Sequence, residues 1–295
     1  MASTHKDPVL VVLELTGAND YLNTIVPYSN PLYWDNRPKV NIAQDQLLVI
    51  DHELAFRSDT EPLKDIYDNG NMAIIHGIGF DNSPRSHFRA MDIWHTCEPD
   101  SIGIDGWLGK VIRDLDPGGE NVLKGVNLGQ GLPRALTMRG VPVTSVNHLP
   151  SYGVLSSNPG ITSEHERDQL LESFARMYAP AIGTGPTMEY LGQAGRDALR
   201  GADIIRVAPE SYSSNIEYAD NPIARRLRDV AQVHLAGLGT QVFYTSHGPF
   251  DTHFDQGGSH TKIWMEVSAA ISDFFVDLRE HLSLIHIYEP TRRTP

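Results

Sequence analysis

The sequence predicts an α/β fold, with a mainly parallel central sheet and helices on both faces. Three observations predict it. Apolar runs at residues 8–15, 72–75 and 241–245 have the length and composition of strands buried within a sheet. Segments with apolar side chains at helical spacing alternate with those runs, the pattern of strands joined by crossover helices. Gly17, Gly70, Gly237 and Gly239 stand where such elements must stop.

Taken in order, residues 8–15 are broken only by Glu14 and read as a first strand buried on both faces. Residues 30–37 read as turn-rich. Over 61–69, Leu63, Ile66 and Tyr67 repeat at helical spacing and Gly70 ends the helix. Residues 72–75 read as a second strand, and Ser86 as the N-cap of a helix carrying Phe88, Met91 and Trp94. Helices are also expected over 105–115 and 164–178. The span 121–201 is rich in Gly, Pro and Ser and is the hardest to place, an insertion or a cap. Residues 223–235 form a helix with a basic face, 241–245 a third strand, and 261–281 a long amphipathic helix with Trp264, Val267 and Phe274 on its apolar face. The expected organisation is one α/β domain over residues 1–281.

A net charge of -13 over 295 residues sets the class of partner. Nucleic acid and anionic membrane surfaces are repelled at long range, and no run approaches the roughly 18 apolar residues of a membrane span. The one cysteine, Cys97, excludes an internal disulfide and reads as a core filler. The first residues have neither an apolar export core nor paired arginines, so the chain as written is expected to be soluble and cytoplasmic.

Polar clusters follow all three strands, and parallel strands would bring them to one edge, where such sheets bind ligands. After the third strand come Asp251, His253, Asp255, Gln256 and His260, a set of oxygen and imidazole donors suited to a divalent ion such as Zn, Mn, Mg or Ca. The same residues also suit a polar turn leading into a helix. After the first strand, Asp20 reads either as a metal ligand or as a turn residue capping its own backbone, with Asn19 and Asn23 as candidate substrate-binding amides. After the second strand, Ser86 at a helix start offers a hydroxyl beside unsatisfied N–H groups, a setting for a bound phosphate or sulfate or for simple capping. Arg85 and Arg89 would add charge to such an anion, and His87 is either a catalytic neighbour of Ser86 or a packing residue.

Four segments carry a resemblance: residues 13–24 (Leu-Glu-Leu-Thr-Gly-Ala-Asn-Asp-Tyr-Leu-Asn-Thr), 86–94 (Ser-His-Phe-Arg-Ala-Met-Asp-Ile-Trp), 106–109 (Gly-Trp-Leu-Gly) and 251–256 (Asp-Thr-His-Phe-Asp-Gln). In this order they resemble the bacterial domain of unknown function 1501, a family grouped with the alkaline phosphatases and sulfatases. The resemblance implies an alkaline-phosphatase-like fold with one or two divalent metals and a Ser or Thr nucleophile. It casts Asp20 as a first-strand metal ligand, Asp251 with His253 as a later ligand pair, and Ser86 as the nucleophile. The implied substrate is a small-molecule or polysaccharide ester of phosphate or sulfate.

Two departures qualify it. Members are commonly exported, which makes a periplasmic location the alternative to a cytoplasmic one. Members also continue into a Ser-Glu-Phe-Gly-Arg segment and an Asp-His-Gly motif that this sequence does not contain, whereas residues 282–295 look like translated adapter sequence joined to a gene fragment, and a chain lacking that motif is expected to be inactive. The first expectation for function is therefore a metal-dependent ester hydrolase. The rival is a binding or assembly protein that keeps the fold without turnover, and a metal-free serine hydrolase comes third because no Gly-X-Ser-X-Gly is present.

Overall fold

The computed structural model describes residues 8–152 and 185–281, with positions 165, 166, 169, 172, 173 and 176 between them. In chain order the elements are β1 (Leu10–Leu15), β2 (Ile25–Val26), α1 (Pro31–Asn36), β3 (Leu47–Val49), β4 (Ala55–Arg57), α2 (Glu61–Asp68), α3 (His87–Thr96) and α4 (Trp107–Leu115). There follow β5 (Gly125–Leu128), β6 (Thr144–Val146), α5 (Pro186–Ile205), α6 (Pro222–Leu235), β7 (Val242–His247) and α7 (Gln256–Glu280). Most of the expected helix over 164–178, and all of the tail 282–295, lie outside the described residues.

The chain divides into two compact units. The first comprises the described residues of Met1–Val12, Pro84–Ser213 and Asp229–Thr245, and the second those of Leu13–Ser83, Ser214–Arg228 and Ser246–Pro295. The main sheet has the strand order β1-β7-β5-β6. Its ladders are parallel, with Gly125 opposite Val242 and Val126 opposite Thr144. β1 keeps one register with β7 from end to end, since Leu10 N donates to Gln241 O at 2.8 Å and Thr16 N to His247 O at 2.9 Å. β5 and β6 come from the span that the sequence left hardest to place.

Within the first unit, α4 lays Leu108 and Ile112 against Val242 and Tyr244 of β7, with Ala135 and Leu136 closing the same cluster. Gly125 is small because Ile112 fills the space where its Cβ would stand. The second unit is built around an antiparallel sheet, β2-β4-β3, in which Phe56 is opposite both Ile25 and Leu48. α7 packs on α2 and on the turn Ser58–Thr60, and buries Trp264 and Val267 with Phe56, Leu63, Ile66 and Phe250.

Gly70 ends α2 as the sequence implied, and the structure adds two N-caps that the sequence left unassigned. Asn30 caps α1 by accepting from Leu32 N at 3.0 Å, Asn221 caps α6 by accepting from Ala224 N at 2.9 Å, and Gly70 takes a positive φ of 72° just past α2. Four expectations are corrected. Residues 72–75 form no strand: Met72 and Ile74 pack on the core of the second unit, but Ile75 is 74% exposed and no ladder partner holds the segment. β1 is an edge strand, with Leu10 42% exposed, because β7 covers one side of it only. Within residues 30–37, Pro31–Asn36 are helical because the Asn30 cap and Pro31 start a helix that the turn-rich composition concealed. Cys97 is exposed and left-handed at φ 58°, ending α3 where a glycine is usual.

Packing at Gly106, which precedes α4, yields a test. A Cβ there would overlap the carbonyls of Arg134 and Ala135, whereas one at Gly257, in the first turn of α7, meets nothing within 4 Å. Gly106→Ala is expected to cost about 2 kcal/mol or more in urea unfolding, and Gly257→Ala to be neutral or to stabilise by up to about 1 kcal/mol. Equal effects at the two positions would contradict this packing.

Candidate functional site

In the second unit the loops leaving β1 and β7 are fastened to each other. Thr16 N donates to His247 O at 2.9 Å and Phe250 N donates to Thr16 O at 2.7 Å. Gly17 makes the fit possible: its φ is +95°, and a Cβ would stand 2.8 Å from Asp251 N. These two loops carry Asn19 and Asp20 on one side and Asp251 and His253 on the other.

Asp251 and His253 form a close carboxylate–imidazole pair, Oδ1 to Nε2 at 2.5 Å, with side chains 38% and 79% exposed. Asp20 points elsewhere. Its carboxylate pairs with Arg37 Nη1 at 2.6 Å and accepts a hydrogen bond from Gln256 Nε2. Asn23 is buried: it donates to Val40 O at 2.6 Å and accepts from Tyr33 Oη at 2.9 Å, so its amide is used in holding the chain.

His260, one turn into α7, has both ring nitrogens engaged. Arg57 Nη1 lies 2.5 Å from Nδ1, which fixes that nitrogen as the acceptor. Nε2 then carries the hydrogen and donates to Asn19 Oδ1 at 2.9 Å, and Trp264 Nε1 donates to the same oxygen at 3.1 Å. Arg57 also grips both carboxylate oxygens of Asp59 at 2.5 and 2.6 Å, Asn23 O at 3.2 Å and Thr261 Oγ1 at 2.7 Å. Burial, and then the Arg57 charge, hold the His260 pKa down at about 4, against a smaller upward pull from Asp20 and Asp59. His247 is lowered in the same way by burial, and Glu266 at 3.5 Å opposes the shift.

In the first unit, Ser86 is exposed at the start of α3 and accepts from Arg89 N at 3.5 Å, a long capping bond. Arg85 and His87 are exposed. Arg89 is turned back into its own unit, donating to the carbonyls of Glu98, Pro99 and Ser101 at 3.4, 3.0 and 2.7 Å. A further group of ligand-type side chains, Asp277, Glu280 and His281, gathers at the end of α7. Tyr218 donates to Asp277, and Ser214 and Asn215 donate to Glu280, so this group also fastens residues 214–218 to the helix.

Sequence reasoning thus located the donors after β1 and β7 but not the basic residues that hold them. Arg37 and Arg57 lie 17 and 34 residues from their partners Asp20 and Asn23, and no periodicity links them. Comparison with protein-family models, with curated proteins and with solved structures finds no match to this chain.

The neutral state of His260 gives a pH dependence whose sign is fixed. Below the ordinary value of 6.5 the unfolded chain takes up a proton that the folded ring refuses until about pH 4. The stabilisation is complete above 6.5 and is lost as pH falls through that window, by up to about 3 kcal/mol. Urea titrations between pH 4 and 7.5 should show this slope, flattened in His260→Gln. An identical slope in the variant would move the effect to other groups.

Proposed function

We propose that this chain is an alkaline-phosphatase-like α/β domain that binds a divalent cation through Asp251 and His253, and that it hydrolyses esters of phosphate or sulfate once an Asp-His-Gly motif completes its ligand set. The observation that carries the reading is the solvent-accessible carboxylate–imidazole pair on the loop leaving β7, braced against the loop leaving β1. One carboxylate oxygen and one imidazole nitrogen within reach of one centre fit Zn or Mn. Asp20 and His260 fit less directly, since a cation drawing on them has to displace Arg37 from the first or Arg57 and Asn19 from the second. A bound cation would supply Lewis-acid polarisation of the ester oxygen. The protein's share is to hold the two donors in place, and Ser86, exposed at the start of α3, offers the hydroxyl that the resemblance makes the nucleophile.

A second reading, a binding or assembly protein without turnover, is favoured by one observation. The buried network of Asn19, Asn23, Arg57 and His260 is closed by protein partners alone.

Elemental analysis of the protein with and without a C-terminal extension carrying the Asp-His-Gly motif, run beside a panel of phosphate and sulfate esters, separates the two. Asp251→Asn is expected to weaken metal affinity at least roughly tenfold, because an amide oxygen is the poorer ligand. In the extended protein Ser86→Ala should abolish ester turnover and leave metal content unchanged. Metal content unaffected by Asp251→Asn would remove the ligand pair, and metal binding without turnover on any ester would leave the second reading standing.

A further inference from the structure

The second unit holds a cavity of about 260 Å³ beside β4 and the first turn of α7. Its walls are mostly polar, with the amides of Asn41, Gln46 and Gln256 and the hydroxyl-bearing Ser58 and Thr261, and Val40 and Ile42 as the apolar side chains among them. That lining favours a polar ligand with a small apolar face over an apolar one, which needs mainly hydrophobic and aromatic walls. The volume falls below the roughly 300–1,000 Å³ of pockets that take drug-sized molecules, so the space suits a single ring. Among the charged wall residues, Arg57 is matched by Asp59 in a two-pronged ion pair, and Lys39 adds one positive charge over that balance.

Asn41 and Gln256 already donate from their amide nitrogens, to Arg37 O and to Asp20, and Thr261 donates to Gly257 O and accepts from Arg57. That leaves the two amide oxygens, the Gln46 amide and the Ser58 hydroxyl to recognise ligand hydroxyls. The excess positive charge favours one anionic substituent. We propose that this cavity binds one monosaccharide unit that carries a single anionic group. The assignment deepens the ester-hydrolase reading by naming the alcohol part of its substrate, and rests on it only for turnover. Gln256 supplies the connection between the two, since it lines the cavity, donates to Asp20 and lies three residues beyond His253.

The test is direct binding to the intact chain, without any requirement for hydrolysis. Glucose, galactose and mannose 6-sulfates are titrated by calorimetry beside the unsulfated sugars and inorganic sulfate, with Lys39→Ala and Gln46→Ala as exposed, fold-neutral variants. At least one sugar sulfate is expected to bind, at least tenfold more tightly than its parent sugar or inorganic sulfate. Lys39→Ala should remove most of the advantage over the parent sugar, and Gln46→Ala should weaken the sugar sulfate but not inorganic sulfate. Equal affinity for inorganic sulfate, indifference to both variants, or no binding of any sugar sulfate at millimolar concentration overturns the proposal. Saturable binding with no turnover on any ester by the protein extended through the Asp-His-Gly motif would retain it and reject the hydrolase.

Discussion

The second unit is organised by one buried cation. Arg57 ends β4 at 3% exposure, and taking a guanidinium out of water costs several kcal/mol unless its donors are matched. The Asp59 carboxylate matches two of them, and Asn23 O, Thr261 Oγ1 and His260 Nδ1 accept others. One side chain therefore joins the small sheet, the turn after it, the loop after β1 and the start of α7. Its geometry allows little else, because the guanidinium is planar and its donors point in fixed directions.

The consequences pass from group to group. A cation beside Nδ1 leaves His260 neutral and puts the ring hydrogen on Nε2, which can then only donate. The receiving atom is Asn19 Oδ1, and the indole of Trp264 donates to the same atom, so that oxygen faces α7. The amide nitrogen of Asn19 is left to donate to Thr24 Oγ1 at 3.0 Å. The conformation of the loop after β1 is thus set from across the unit. Close apposition of Gly17 to Asp251 then carries that order to the loop that bears the carboxylate–imidazole pair.

What the sequence made legible follows a physical line. β1, α2, α4, α6, β7 and α7 are long enough for their apolar pattern or their caps to stand out, and Ser86 caps α3 as its position suggested. β2, β3 and β4 are two or three residues each, too short for any alternation to register. Residues 72–75 have strand composition, yet a strand exists only when a neighbour completes its ladder, and composition does not report neighbours. The donors after β1 and β7 were legible because a polar cluster after an apolar run is a local feature. The pairing of Asp20 with Arg37 was not, nor was the Arg57 hub, because both join segments that only folding brings together.

The register of the main sheet has a bearing on how the chain is made. Of the described strands β1 leaves the ribosome first, yet it aligns with β7, whose matching residues stand 231 positions later in the chain. Parallel pairings of such separation are slow to form, because a very long loop must close before any ladder bond rewards it. During most of synthesis Leu10, Val11, Val12 and Leu13 are an apolar segment without its partner, the kind of stretch that chaperones bind and that associates with other chains. The earliest made of the described strands is therefore among the last to be secured.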